Sequence, residues 1–343
     1  MDGNIYVNGH YLKKQARRAL NAVAFTSIVS TVLSYVFYTA VSFALPYMET
    51  FIGKLLTNSG SSKSYAVAFA ENFTGSEELS WFISILSTLL CVFAPFALLA
   101  KVIIKTNDES IVSLNGPVMK SFPLVYCAAA MMAGVASLLT GGIFSFLFPD
   151  AYGEVISDIV GMYGASTNPS SLILAFIAMC VLAPIAEEFV YRGVAFGYLK
   201  KFGTAFAALS SSVFFGLAHS NPEQIAYAVV FGLVLCSVTN KTGNLKTAIM
   251  IHSLNNLVGY ISSYIIPLFD FGAADALFNI VYNIIMGFLA VVGMIVLFTH
   301  KSGEKDTSCI GNKRISVPVT CFFCMGTVFV ILFSVINVIA VIL

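Results

Sequence analysis

The sequence predicts an all-α protein, a polytopic bundle of transmembrane helices with its N-terminus in the cytoplasm. Of the 343 residues, 58% are hydrophobic and only 10% are charged, whereas soluble domains carry about 25% charge. The apolar residues form runs long enough to cross a hydrocarbon core of about 30 Å as helices. Most basic residues lie on one side of these runs. Because the net charge is +1, bulk electrostatics do not indicate nucleic-acid binding.

Nine apolar runs define the predicted spans, with eight as the alternative count. They are 20–45, 79–104, 122–148, 171–200, 203–220, 223–239, 246–266, 277–299 and 318–343. The run 223–239 is short enough to be tilted or partly re-entrant. The first run, at about 26 residues, exceeds the 7–15 residues of a signal-peptide core. We therefore expect a first membrane helix rather than a cleaved signal.

Charge asymmetry predicts the orientation of these spans. With the N-terminus inside, the outer loops hold only Lys54 and Lys63, and Arg192 is the one basic residue within a span. All other lysines and arginines are then cytoplasmic, as the positive-inside rule requires. The region 46–78 is expected to form a long outer loop, and 149–168 a second, acidic one. The cysteines lie mostly inside apolar runs and imply no disulfide framework.

The most informative segment, near the end of the run 171–200, holds Glu187, Glu188 and Arg192. A charged residue at the centre of a membrane helix costs roughly 2.5–3.5 kcal/mol, so these side chains must face protein or water and pair. Glu188 and Arg192 are four residues apart and share a helix face. Glu187 points about 100° away. A buried ion pair that only fixes helix packing is the alternative, but it leaves Glu187 unexplained.

Further polar residues at membrane depth are His219, His252 and Asn256. Helical rise places Glu187 about 20 Å from the end of its span and His219 about 24 Å along the returning one, so their depths match. His252 and Asn256 are four residues apart and form a pair of donors suited to an oxyanion. A lone membrane histidine is often only an interhelical hydrogen-bonder, but these residues cluster, and a cluster indicates one site.

Three motifs in this order resemble the CAAX prenyl protease and bacteriocin-processing family of intramembrane endopeptidases, also called the CPBP or Abi family. The motifs are Glu187-Glu188-x-x-x-Arg192, Phe215-x-x-x-His219 and His252-x-x-x-Asn256. The resemblance implies that Glu187 is the general base, assisted by His219. It also implies that His252 and Asn256 stabilise the oxyanion, while the ion pair of the first motif orients the base.

The function implied by the resemblance is hydrolysis of a peptide bond in a peptide or membrane-associated precursor. The chain then divides into flanking helices at 1–148, a catalytic core at 149–270 and two further flanking helices at 271–343. The expected location is the cell membrane, in a bacterial plasma membrane, with the lipid bilayer as a partner. The alternatives are a non-catalytic binding or immunity protein of the same fold and a proton-coupled transporter.

Activation of the water by a bound metal is the alternative to activation by Glu187 and His219 alone. Glu187, His219 and His252 form a ligand set that suits catalytic zinc. However, the sequence lacks His-Glu-x-x-His, the helical signature of many zinc proteases. Because His252 is assigned with Asn256 to the oxyanion, too few good ligands are left. We therefore favour direct activation of water by glutamate and histidine, with zinc held by these three residues as the alternative.

Overall fold

The computed structural model describes most of the chain. The described residues are 9–105, 112–150, 153, 168–219, 222–266, 274–300, 309–310, 313–314, 324, 326–328, 330–332 and 335. Helices account for nearly all of this part, which confirms the all-α class. The described strands, Cys309–Ile310 and Lys313–Arg314, form one short antiparallel pair.

The helices are numbered here in chain order. They are α1 (Gly9–Asn58), α2 (Lys63–Thr74), α3 (Glu77–Lys105), α4 (Phe122–Leu147), α5 (Pro169–Lys200), α6 (Thr204–Leu217), α7 (Pro222–Thr242), α8 (Lys246–Tyr260, continued by a π-helical turn at Ile261–Ile265) and α9 (Ala274–Thr299). Long helices are the elements expected when each backbone polar group must be satisfied within its own segment.

Six of these helices, α1, α3, α4, α5, α7 and α9, are long and apolar enough to cross a membrane. They correspond to six of the predicted spans. Helix α6 is apolar but has only 14 residues, and α8 with its π-helical turn covers the predicted span 246–266. The run 318–343 lies mostly outside the described residues. The count of nine spans, the cytoplasmic N-terminus and the three-part division of the chain stay predictions.

The prediction of a loop at 46–78 is wrong, because most of this region is helical. Helix α1 continues through Pro46 to Asn58, and α2 fills much of the remainder. A proline removes one backbone donor and disfavours helix locally, but here the helix continues on both sides of it. Helix α2 begins at a cap in which Ser62 Oγ accepts from the backbone N–H of Tyr65 at 3.4 Å. The acidic loop 149–168 lies mostly outside the described residues.

Helix α5 changes its hydrogen-bonding pattern four times. It is α-helical at Pro169–Phe176, π-helical at Ile177–Leu182, α-helical at Ala183–Glu188, π-helical at Phe189–Phe196 and α-helical again at Gly197–Lys200. Helix α3 holds a similar π segment at Thr88–Phe93. Such segments are rare and occur often at functional sites. In α5, the two π segments flank the single stretch that carries Glu187 and Glu188.

Close packing brings α5 to the middle of the fold. One buried cluster joins α1, α3, α5 and α6 through residues such as Leu20, Phe96 and Phe196. A second joins α4, α7, α8 and α9 through residues such as Phe231 and Ile251. Arg192 on α5 is the largest of the fully buried side chains described. A buried arginine at such a position must find charge or hydrogen-bond partners within the protein.

Candidate active site

The site is built on a fully buried ion pair within α5. Arg192 Nη1 donates to Glu188 Oε1 at 2.9 Å, and neither side chain is exposed. The Arg192 guanidinium also lies over the ring of Phe215, 4.4 Å from its centroid, so α6 supplies a cation–π contact. Among the described residues, Arg192 Nε and Nη2 and Glu188 Oε2 have no hydrogen-bond partner. The charge of each group is therefore balanced chiefly by the other.

His252 on α8 connects the ion pair to the neighbouring glutamate. Its Nδ1 lies 2.8 Å from Glu188 Oε1, and its Nε2 lies 3.6 Å from Glu187 Oε2. A carboxylate only accepts hydrogen bonds, so the shorter contact requires a proton on Nδ1. The Nε2 atom is thereby directed to Glu187. The ring is also held edge-on between Phe215 and Phe231, at centroid distances of 5.7 and 5.8 Å.

Glu187 lies in a different environment from Glu188. Its side chain is 27% exposed and, together with His219 at the end of α6, lines a cavity of about 510 Å³. His219 Nδ1 lies 2.9 Å from the Phe215 carbonyl, which can only accept, so Nδ1 carries the proton and a neutral ring has an acceptor at Nε2. The two predicted water-activating residues therefore line the same cavity.

Asn256 has a partner that the motif alone does not reveal. Its Nδ2 donates to the Met179 carbonyl at 2.8 Å. In the π segment of α5, the Ala183 N–H bonds to the Ala178 carbonyl, and the next donor in this pattern would come from Pro184, which has no N–H. The Met179 carbonyl thus lacks a donor within its own helix, and Asn256 supplies one.

The predicted site residues are thus only partly brought together. Glu187 and His219 line the cavity, and His252 reaches it through its contact with Glu187. Asn256 is bonded to α5 and is not among the residues that line this cavity. The assignment of His252 and Asn256 to the oxyanion stays a prediction.

A metal site would require several ligating side chains to lie close together. Within the part of the chain that the structure describes, no group of three or more His, Cys, Asp or Glu side chains is placed to hold a metal ion. Catalytic zinc sites use three protein ligands plus an open position. The residues as arranged do not form such a set.

Sequence reasoning missed two features of this site. The first is Phe215, whose ring contacts Arg192, His219 and His252; its signal was its position in the second motif. The second is α1, which contributes a series of hydroxyl-bearing residues to the cavity wall. Their helical spacing was visible in the sequence, but nothing there indicated that α1 faces the motif helices.

Comparisons with known proteins match the segment that carries this site. Residues 169–258 match the family model described as type II CAAX prenyl endopeptidase Rce1-like. This segment contains all three motifs, and the resemblance to the CPBP family is thereby confirmed. The apolar helices support a multi-pass membrane protein, and the family match places a peptidase-like segment at residues 169–258.

A curated relative covers a similar region. The chain is 27% identical over 124 residues to the Bacillus subtilis (strain 168) protein named "Putative membrane peptidase YdiL", a match that covers 34% of this chain and 51% of the relative. The match thus spans about half the length of that relative. No solved structure matches the chain.

Proposed function

We propose that this protein is an intramembrane endopeptidase that hydrolyses a peptide bond in a peptide or membrane-associated precursor at a bacterial plasma membrane. One observation carries the proposal: Glu187, the more exposed of two adjacent glutamates, lines a cavity with His219 while His252 approaches it from the buried side. Peptide hydrolysis needs a base beside a water and donors for the oxyanion, and Glu187 and His252 are the candidates for these two roles.

In the proposed reaction, a water in the cavity attacks the scissile carbonyl while Glu187 takes its proton. His219 orients this water through Nε2, because its Nδ1 is bonded to the Phe215 carbonyl. The proton on Glu187 then passes to the leaving amine, so the peptide bond breaks and the carboxylate is restored. Glu187 thus acts first as the general base and then as the general acid.

Stabilisation of the oxyanion falls to His252 and Asn256. His252 donates from Nε2, which requires that the ring hold a proton there as well as the one that Nδ1 shares with Glu188. Asn256 has a second N–H besides the one on the Met179 carbonyl. The loss of one such donor typically lowers the rate about 10²–10³-fold. The pair of Glu188 and Arg192 acts as a support that fixes the ring of His252.

The test is the substitution Glu187→Gln. The amide keeps the size of the side chain but cannot take a proton, so we expect cleavage to fall by about 10²–10⁴-fold with unchanged thermal unfolding. Precursor peptides that accumulate in cells carrying this variant would be identified by mass spectrometry and then offered to the purified wild-type protein. Retained cleavage by purified Glu187→Gln would exclude this residue as the base.

The binding or immunity protein is the second candidate, because a cavity with polar walls also suits peptide capture. It predicts a different outcome of the same experiment. No precursor would accumulate in Glu187→Gln cells, and the purified wild-type protein would bind peptides without cleaving them.

A further inference from the structure

The cavity beside Glu187 and His219 has one wall that the proposed chemistry does not use. This wall belongs to α1, which lies outside the segment matched by the family model. It consists of hydroxyl-bearing residues at helical spacing. They are Ser27, Ser30, Thr31, Ser34, Tyr35 and Tyr38. Residues at spacings of three, four and seven lie on one face of a helix, so the hydroxyl wall is one continuous polar stripe on α1.

The hydrogen bonds of the hydroxyl wall define what it can recognise. Ser27, Thr31 and Ser34 each donate to the backbone carbonyl four residues earlier, at 3.0, 3.0 and 3.1 Å. Ser30 donates to the Cys91 carbonyl on α3 at 2.6 Å. A hydroxyl whose proton is engaged still accepts through its oxygen lone pairs. These four hydroxyls therefore present acceptors to the cavity, and their natural complement is a row of N–H donors.

The contact between Ser30 and Cys91 also holds the wall in place. Ser30 on α1 donates to the Cys91 carbonyl within the π segment of α3, and Asn256 on α8 donates to the Met179 carbonyl within the first π segment of α5. The stripe on α1 is thus attached to α3 at the depth of the cavity.

The remaining lining residues narrow the choice of ligand. Phe96, Phe214 and Phe215 form an apolar side of the cavity, Glu187 is its one carboxylate, and no Lys or Arg is among the described residues that line it. A ligand with charged side chains would find few partners there, and burying an unpaired charge is costly. The cavity thus suits an uncharged chain with polar groups along one edge and apolar groups on the other.

The dimensions agree with a polypeptide. From Ser27 to Tyr38 the helix rises about 16 Å, and about five residues in extended conformation cover the same length. The volume of about 510 Å³ lies within the range of about 300–1,000 Å³ for ligand pockets. An isoprenoid chain offers no N–H donors and would cover the hydroxyl oxygens with hydrocarbon.

We infer that the hydroxyl wall of α1 is the substrate-binding surface of this site, and that it takes an extended, uncharged peptide segment by accepting hydrogen bonds from its backbone N–H groups. This inference rests on the proposed peptidase function only in that the bound peptide is called a substrate. The binding surface itself is open to measurement in a protein that does not cleave.

The test therefore uses the full chain with Glu187→Gln, in detergent, and measures binding by fluorescence anisotropy. The probe is a fluorescein-labelled library of uncharged 12-residue peptides, and the comparison probe is the same library N-methylated at alternate backbone nitrogens. We expect the first library to bind at least tenfold more tightly. Adding Ser27→Ala and Thr31→Val should weaken its binding about tenfold, roughly 1.4 kcal/mol, and leave the N-methylated library unaffected.

The matched control adds Ser42→Ala and Thr57→Val instead, which remove two hydroxyls from α1 outside the cavity. Both double variants should melt like the parent, and the control should bind like it. Equal binding of the two libraries, absence of binding by either, or tighter binding of a farnesylated-cysteine peptide would overturn the inference. Failure of the peptidase proposal would appear separately, as wild-type protein that binds the first library through the wall but leaves every peptide intact.

Discussion

Two regions meet on α5, a sealed one around Glu188 and an open one around Glu187, although these residues are adjacent in the chain. Glu188 is fully buried and bonded to Arg192 and His252, whereas the Glu187 side chain is 27% exposed beside the cavity. A charge in the sealed region is balanced by protein alone, so its loss should act on stability. A charge in the open region has access to a substrate, so its loss should act on turnover.

The largest effect is expected in the sealed region. Arg192→Ala leaves Glu188 without its cation, and breaking one side of a buried pair costs about 3–5 kcal/mol. We expect low folded yield and a lower melting temperature in detergent, measured by fluorescence-detected size exclusion. The double substitution Glu188→Leu with Arg192→Met removes both charges and should recover most of the yield without recovering cleavage. Normal yield and melting of Arg192→Ala would contradict the sealed-pair assignment.

The two histidines provide the next comparison, because His252 spans both regions and His219 belongs to the open one. His252→Ala removes a donor from Glu188 and leaves a space between Phe215 and Phe231. It should cost about 2–4 kcal/mol of unfolding free energy as well as cleavage. His219→Ala should abolish cleavage but lower the unfolding free energy by less than about 1 kcal/mol. Equal stability losses in urea unfolding would show that the two regions are not separate.

A smaller loss of stability is expected from a substitution on α7, where Gly232 packs against Arg192. A Cβ added at Gly232 would lie 3.0 Å from Arg192 Nη2 and 3.1 Å from Ser212 Oγ. Because Arg192 is held by Glu188 and Phe215, it cannot move freely, and Gly232→Ala should cost roughly 1–3 kcal/mol as overpacking does.

Gly259→Ala on α8 is the matched control for this substitution, since nothing lies within 4 Å of its added Cβ. It should stabilise the helix slightly because alanine has a higher helix propensity than glycine. If both substitutions raise the melting temperature, the space around Arg192 is larger than the structure indicates.

The comparison also shows which features the sequence could predict. The membrane class followed from composition, and the contact between Glu188 and Arg192 could be anticipated because it depends only on a spacing of four within one helix. The contact between His252 and Glu188 could not, since it joins residues 64 apart in sequence. The same holds for α1, whose continuation through Pro46 ran against local propensity, and whose hydroxyl wall gained meaning only from its position beside the cavity.

The two hydrogen bonds to carbonyls near prolines illustrate the same limit. Pro184 removes a donor, and the sequence alone shows that a carbonyl four or five residues earlier needs another partner. It does not show that Asn256, on a distant helix, supplies that partner to Met179, or that Ser30 on α1 donates to the Cys91 carbonyl of α3. These bonds attach α1 and α8 to the two helices that carry π segments, so they belong to the framework of both regions.

The smallest effect is expected from metal removal. If Glu187 and His219 activate water directly, incubation with EDTA or phenanthroline should leave cleavage unchanged, and elemental analysis should find well below one equivalent of zinc. A zinc-dependent peptidase in the same detergent serves as the control for effective chelation. The expectation follows from the ligand geometry, since no three suitable side chains among the described residues are grouped for a metal.

One equivalent of zinc, lost in parallel from His219→Ala and His252→Ala, would contradict this expectation. It would turn Glu187, His219 and His252 into the ligand set. The contact of His252 Nδ1 with Glu188 would then orient a metal ligand, as carboxylates commonly do behind a zinc-bound histidine. The sealed region would still support the open one, but through the metal rather than through a ring that donates to the oxyanion. Asn256 would then remain as the single predicted donor to that oxyanion.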